Sequence, residues 1–271
     1  MGALHGPAEL LPISSSAHLT IVPWLLGWSY PGLAEGRRKE FEVAVHAGTA
    51  AALLIALRSE VAGAARRLDR RRVVQLAISA LPAALTGLAL EGPIERRLGS
   101  PRPIALGLTV GSALMLAADR RPQARHCEEA DELDAVWLGL AQTLALAPGI
   151  SRSGVTLAAA RWRRFRRADA ARLSRAAGVP VLAGAALLKG YRLHTRQIEP
   201  GMGSALAGGA AAAFLSTLAG ARLITPIQSD GPLLPYALYR AGLAAAILHR
   251  LRSCGPVRSA ARARRSRRAR R

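Results

Sequence analysis

The feature that most constrains the fold of this chain is Val73 to Leu90, a long apolar run without a charged residue. A helix needs about 20 mainly apolar residues to cross the hydrocarbon layer of a membrane. Blocks rich in arginine, such as 66–72 and 161–167, separate this run from others. The other apolar stretches are 43–57, 104–118, 168–188, 201–221 and 232–248. This alternation predicts a helical protein that crosses a membrane several times.

The charge of the chain fits this interpretation better than it fits a nucleic-acid binder. The chain has 271 residues, with 38 lysines and arginines, 17 aspartates and glutamates and a formal net charge of +21. Aromatic residues make up 4%, whereas proteins that bind single strands stack bases on aromatic side chains. The basic residues lie between the apolar runs, as in the loops of membrane proteins. We therefore expect a membrane and no nucleic acid as partner.

The remaining composition adds few constraints. Cys127 and Cys254 lie far apart without CxxC spacing, so we infer neither a disulfide framework nor a metal site from them. The charged stretch 119–134 is interpreted as a solvated connector. No basic segment precedes an apolar run at the N-terminus, so we expect no cleavable signal peptide. The arginine-rich stretch 250–271 is expected to be a disordered tail after a single membrane domain, 1–249.

Two further segments, 4–28 and 135–160, carry a polar centre between apolar arms. Each arm is too short to span a bilayer, so each segment is predicted to be a re-entrant hairpin whose break is buried in protein. Their similar plan indicates an inverted repeat, with halves of about 1–118 and 135–249 and a site between them. The predicted fold class is an all-α integral membrane protein with about six transmembrane helices and two re-entrant helix hairpins.

The first polar centre contains groups suited to proton transfer and nucleophilic attack. Glu9 and His18 flank three consecutive serines, Ser14, Ser15 and Ser16. A carboxylate, hydroxyls and an imidazole so close together can supply a base, a nucleophile and an acid. The alternative is that the serines cap a helix and that His18 lies at a polar interface.

The second polar centre is suited to an oxyanion. Pro148-Gly149 breaks the helix before Ser151, Arg152 and Ser153. A broken helix exposes backbone N–H groups that favour an anion, and arginine adds a planar fork that matches phosphate oxygens. The alternative is an ordinary loop with a helix cap. Elsewhere, Glu42 and His46 share a helix face and are interpreted as a helix-end pair rather than as cavity residues.

These centres carry a resemblance to a known family. The run from His5 to Leu19 resembles the first motif of the undecaprenyl-diphosphate phosphatases, the bacitracin-resistance family. There, an acidic residue or glutamine precedes Gly-x-x-Glu and then Leu-Pro-x-Ser-Ser-x-Gly-His. Pro148 to Thr156 resembles the second motif, Pro-Gly-x-Ser-Arg-Ser-x-x-Thr. The resemblance extends to about Leu248, and Tyr239-Arg240 stands where similar residues occur.

The resemblance implies a bacterial plasma-membrane enzyme that hydrolyses undecaprenyl diphosphate to the monophosphate and inorganic phosphate. This recycles the lipid carrier of peptidoglycan synthesis. It also implies a site facing the outer side and a divalent cation, Mg2+ or Ca2+; a homodimer is left open. The catalytic residues are expected to be Glu9, Ser15, His18 and Arg152, with Glu9 also the candidate metal ligand. The candidate substrate-binding residues are Ser14, Ser16, Ser151, Ser153 and Thr156.

The sequence departs from the family pattern in several places. His5 occupies the first acidic or amide position, Ala17 replaces the glycine before the histidine, and Arg175 stands where an apolar residue is usual. Only Met1 to Leu4 precede the first motif. Since imidazole is a poor ligand for Mg2+ and Ca2+, His5 bears directly on the implied cation.

Two other functions compete with hydrolysis. Inverted repeats with broken helices are typical of transporters, so a transporter or flippase for the lipid carrier is the main alternative. A phosphatase of the type-2 phosphatidic-acid kind would need a second histidine with a downstream aspartate after Arg152, and the sequence offers none at that spacing. Within the hydrolase, Ser15 or a water molecule is the expected nucleophile, and His18 or Glu9 is the expected proton acceptor.

Overall fold

The computed structural model describes residues 1–66, 68–194, 201–228 and 231–254, and these residues fold into eleven α-helices. In chain order they are α1 Gly2–Leu10, α2 Ser15–Leu26, α3 Glu35–Ala56, α4 Arg58–Arg66, α5 Arg70–Leu98, α6 Pro101–Asp119, α7 Glu132–Leu144, α8 Arg152–Trp162, α9 Arg167–His194, α10 Gly203–Gln228 and α11 Leu234–Cys254. Short 3-10 turns occupy Tyr30–Gly32 and Cys127–Glu129.

Four of the described helices are long and apolar enough to cross a membrane: α5, α6, α9 and α10. Only 11% of the spanning window of α5 is buried, and Leu81, Leu85 and Leu88 are exposed along it. Such a surface suits lipid, because a helix that is apolar all round requires an apolar environment. The prediction of a helical protein that crosses a membrane several times is therefore confirmed.

The helices pack closely where small residues face each other. A Cβ on Gly48 of α3 would overlap the carbonyl of Ala210 on α10. A Cβ on Gly6 of α1 would overlap the hydroxyl of Ser216, which is also on α10. On the other side of the molecule, a Cβ on Gly139 of α7 would lie 2.8 Å from the Ile78 carbonyl of α5. Glycine lets the two helix backbones of each pair approach closely, as in membrane helix pairs.

The basic blocks gather at one end of the helices. Arg71 donates a hydrogen bond to the Ala130 carbonyl in the loop before α7, at 3.2 Å. Arg125 of the same loop forms an isolated β-bridge with Phe165, between α8 and α9. The arginine-rich stretches 66–72 and 161–167 therefore lie on the same side of the molecule.

The loop between α6 and α7 is largely exposed, as expected of a solvated connector, but ion pairs with the first turn of α7 fasten it to the rest of the molecule. Asp134 is 2% exposed and accepts hydrogen bonds from Arg125 at 2.7 Å and from Arg163 at 2.6 Å. Burial alone would raise the pKa of Asp134, but the hydrogen bonds from the two guanidinium groups outweigh it and the pKa is lowered. These ion pairs dock the loop onto the end of α8. Sequence alone missed this because Arg163 is remote along the chain.

The predicted boundary of the basic tail is also wrong by several residues. The tail was expected from residue 250, but α11 continues to Cys254. Arg250 extends the helix because its guanidinium bonds the Leu25 carbonyl and lies 5.1 Å from the centre of the Trp24 ring on α2. The rest of the predicted tail, 255–271, lies outside the described residues.

Candidate active site

The first break separates α1 from α2 at residues 11–14. Pro12 and Ser14 lie in this turn, and Ser14 has φ of 75°, a left-handed conformation that is rare for a residue other than glycine. Such a conformation costs about 1–3 kcal/mol and persists only where the surroundings enforce it. The Ser14 carbonyl, at the start of α2, lies 2.7 Å from Nδ1 of His18 one helical turn later.

The second break separates α7 from α8 and packs against α6. Gly149 has φ of 93°, and a Cβ there would overlap the Ile104 carbonyl, so only glycine fits. Ser151 then caps α8, its hydroxyl accepting the Gly154 N–H at 3.3 Å. The first residue of the new helix is Arg152.

The two breaks meet inside the molecule. The Arg152 guanidinium of α8 lies 3.4 Å from the Glu9 carboxylate of α1. Glu9 also accepts a hydrogen bond from the Ser15 hydroxyl at 2.5 Å. The Ser153 hydroxyl donates to the Leu11 carbonyl of the first break at 3.4 Å. A hydroxyl, a carboxylate and a guanidinium are thus connected in a row across the two segments.

His18 is turned away from Ser15. Its Nδ1 bonds the Ser14 carbonyl, which can only accept, so Nδ1 carries a proton. Its Nε2 lies 2.7 Å from the hydroxyl of Tyr239 on α11 and, in the neutral ring, accepts that O–H. Of the two expected proton acceptors, Glu9 is the one that contacts the Ser15 hydroxyl.

The five candidate substrate-binding residues are two pairs of serines, one in each break, and a separate threonine. Ser14 and Ser16 lie 3.3 Å apart between their hydroxyls in the first break. Ser151 and Ser153 lie 3.2 Å apart in the second. Thr156 is fully buried, and its hydroxyl lies 2.6 Å from that of Ser174 on α9. Thr156 therefore joins α8 to α9, whereas the serines line the breaks.

Two residues that shape the site were given no role from sequence. A Cβ on Gly178 of α9 would overlap the Arg152 guanidinium, so this glycine makes room for it. Arg240 of α11 is completely buried and donates to the carbonyls of Pro12 and Gly149, one in each break. An arginine within an apolar stretch is a signal for a functional position, and Arg240 stands in such a stretch.

The groups beside Glu9 do not fit the hard cation that the resemblance implies. Mg2+ and Ca2+ take six or more oxygen ligands. Glu9 instead contacts a hydroxyl and the positively charged Arg152. One helical turn away, His5 presents an imidazole that bonds Thr49 at 2.8 Å and packs edge-on against His46, with 4.5 Å between ring centres. The chemistry proposed below therefore contains no metal-dependent step.

Comparison with known proteins agrees with the motifs. The family model described as bacitracin resistance protein BacA matches residues 1–246. An undecaprenyl-diphosphatase of Geobacter sulfurreducens is 37% identical over 262 residues, 92% of this chain and 95% of the relative. One of Pelobacter propionicus is 38% identical over 255 residues, 89% of this chain and 91% of the relative. Since the matches cover nearly the whole chain, this protein belongs to the bacitracin resistance protein BacA family.

Proposed function

We propose that this protein hydrolyses undecaprenyl diphosphate to undecaprenyl phosphate and inorganic phosphate. The observation that carries the proposal is the contact of Ser15, Glu9 and Arg152 where two broken helices meet. The relatives named above are undecaprenyl-diphosphatases. The prenyl chain would lie among the apolar helices while the diphosphate enters the polar chamber.

Arg152 and the N-terminus of α8 are proposed to hold the terminal phosphoryl group. The guanidinium fork matches two phosphate oxygens, and the exposed N–H groups of a helix start favour an anion. Phosphoryl transfer depends mostly on positioning and charge stabilisation, which these groups supply. Binding draws Arg152 from Glu9 to the substrate, so the carboxylate loses the partner that offsets its charge.

Ser15 is proposed as the nucleophile and Glu9 as its base. As the serine oxygen forms its bond to the terminal phosphorus, its proton passes to Glu9 and the bond to the bridging oxygen breaks. Glu9 passes that proton to the former bridging oxygen as undecaprenyl phosphate leaves, so the carboxylate is restored. A water molecule then attacks the phosphoserine and gives one proton to Glu9. The bond from phosphorus to the Ser15 oxygen breaks, Ser15 takes the proton back from Glu9, and inorganic phosphate leaves. The alternative is a direct attack by water on the terminal phosphorus, with Glu9 as base. Trapping of a phosphoserine would distinguish the attack by Ser15 from this alternative.

The fuller fold is proposed as six transmembrane helices, α3, α5, α6, α9, α10 and α11, and two re-entrant hairpins, α1–α2 and α7–α8. An inverted repeat is supported by matching contacts in the two halves. The α1–α10 contact corresponds to α7–α5, α3–α10 to α9–α5, and α2–α11 to α8–α6. Pairing of this kind is expected when two halves of one plan interlock.

The protein is proposed to lie in the bacterial plasma membrane. The end of the molecule that gathers the arginine-rich stretches 66–72 and 161–167 would then be cytoplasmic, because basic loops stay on that side. The first hairpin would enter from the outer face and the second from the cytoplasmic face. Association of two copies stays a prediction.

The test is phosphate release from a C55 or C15 prenyl diphosphate by the full chain purified in detergent. We expect release by the wild type and a loss of about 10²-fold or more in Arg152→Ala, since one preorganised donor contributes about that much. Arg252→Met, which removes an exposed arginine from α11, is the matched control and should keep wild-type activity. Lipid transport without phosphate release would favour a flippase and overturn the proposal.

A further inference from the structure

Arg240 is the most deeply buried cation near the two breaks, and its partners are backbone carbonyls. The side chain is 0% exposed. Its guanidinium donates to the Pro12 carbonyl at 3.1 Å and to the Gly149 carbonyl at 3.0 Å. It also lies 3.4 Å from the carbonyls of Gly107 and Leu108 on α6. A single side chain therefore touches the first break, the second break and the helix beside them.

The hydrogen bonds of Arg240 satisfy buried backbone carbonyls that the breaks in the helices leave without a helical partner. Pro12 and Gly149 lie in the turns between the helices of each pair, where the carbonyl belongs to no helix, and a buried carbonyl without a partner is costly. A guanidinium offers five N–H donors in a rigid fork, so it can satisfy several such carbonyls at once. Within the described residues, the groups recorded beside the Arg240 guanidinium are carbonyls and the Met115 sulfur, and none is a carboxylate. Its contacts are thus those of a clamp on backbone rather than of a salt bridge.

Two glycines shape the space for this guanidinium. The three atoms nearest to a Cβ built on Gly111 of α6 all belong to Arg240, and the closest would overlap it. A Cβ on Gly154 of α8 would lie 3.0 Å from the Arg240 Nη1 atom. Because Gly111 has no side chain, the guanidinium can occupy the position from which it reaches both breaks.

We propose that Arg240 is a positioning residue that holds the two breaks in the register in which Glu9 and Ser15 face Arg152. The inference rests on the proposed function, because the register matters for phosphoryl transfer. A misplacement of about 1 Å can lower a rate about 10²-fold even when it originates away from the reacting atoms. Arg240 acts through the backbone of both breaks and does not itself need to touch the substrate.

The first test is a pair of substitutions that converge on the same guanidinium. Arg240→Met removes it and keeps an apolar stem, while Gly111→Ala displaces it. We expect each to lower kcat about 10²-fold, and the double variant to lose no more than Arg240→Met, since the added methyl then has nothing to displace. Gly184→Ala on α9, where a Cβ meets nothing within 4 Å, is the control. Wild-type kcat in Gly111→Ala, or losses that multiply, would overturn the proposal.

The second test measures the register directly, without substrate. Cysteines at Leu11 and Ser153, introduced after Cys127→Ser and Cys254→Ser, lie at the point where the breaks touch. We expect rapid oxidative cross-linking with Arg240 in place and a rate lowered about tenfold or more in Gly111→Ala. An unchanged rate would overturn the clamp even in an active enzyme. If the cysteine pair cross-links as expected while the wild-type protein, with Ser153 intact, releases no phosphate, the result would instead count against the proposed function.

Discussion

At the scale of single residues, Glu9 is the side chain that joins the first broken segment, α1–α2, to the second, α7–α8. Its carboxylate accepts the Ser15 hydroxyl and contacts the Arg152 guanidinium. The sequence places a carboxylate, a serine and a histidine close together, which leaves two candidate bases. The contact that separates them is that of the Ser14 carbonyl, one helical turn before His18, which lies 2.7 Å from Nδ1 of the ring.

Ser15→Ala tests whether this hydroxyl is the nucleophile. Without it no phosphoserine can form, so we expect kcat to fall about 10³-fold or more. The measurement is acid-quench trapping of label from substrate carrying 32P in its terminal phosphate, in wild type and variant, with Ser29→Ala, at an exposed position outside both breaks, as the matched control. Substantial activity in Ser15→Ala, with no trapped label in the wild type, would assign the attack to water.

His5 permits a test of the cation. Because the described neighbours of Glu9 include a guanidinium and, one helical turn away, an imidazole, which suit Mg2+ and Ca2+ poorly, we expect chelator to lower wild-type phosphate release by less than about threefold. His5→Glu adds a carboxylate one helical turn from Glu9 and should tighten Ca2+ binding, measured calorimetrically, about tenfold or more. His5→Gln, without the charge, is the control. Loss of wild-type activity on chelation, restored by Mg2+ or Ca2+, would contradict the expectation.

At the scale of elements, the site depends on helices that stop and restart. The arms α1, α2, α7 and α8 have 9, 12, 13 and 11 residues, so none can span a bilayer alone. Each break is held by neighbouring helices: the first by Tyr239 and Arg240 of α11, the second by α6 and Arg240. The docked loop before α7 fastens the opposite end of the second hairpin. The stability of these supports therefore decides how well the breaks are aligned.

Asp134→Asn tests the docking of that loop. The substitution removes a buried charge that Arg125 and Arg163 share, and breaking a buried pair costs about 3–5 kcal/mol. We expect a lower thermal midpoint in detergent, measured by tryptophan fluorescence. Since the pKa of Asp134 is lowered on folding, its stabilisation is present at neutral pH and is lost as the pH falls through that lowered value.

The control for this element is Glu132→Gln, at an exposed position in the first turn of the same helix. Its only described ion pair, with Arg71, is at the surface, where such pairs contribute about 0–1 kcal/mol. Equal thermal midpoints for Asp134→Asn and the wild type would show that the loop does not depend on this carboxylate.

At the scale of the whole molecule, the sequence predicts those structural features that depend on neighbouring residues alone. The run Val73 to Leu90 predicts a membrane helix because uncharged length is a local property, and prolines and serines predict the breaks for the same reason. Partners remote along the chain are set by packing and cannot be read in this way. Arg240 and Pro12 are 228 positions apart, and the residues around each give no indication that the two are in contact. The bond from Thr156, a candidate substrate-binding residue, to Ser174 of α9 is another contact that packing sets and that the sequence does not predict.

The central claim is that the two breaks form one catalytic centre. The most direct measurement is phosphate release from a prenyl diphosphate by Glu9→Gln, Arg152→Ala and the double variant, compared with the wild type. Residues that act as a unit are strongly non-additive, so the double variant should lie within about threefold of the slower single variant. If the two losses multiply, Glu9 and Arg152 act independently, and the account of a shared centre is contradicted.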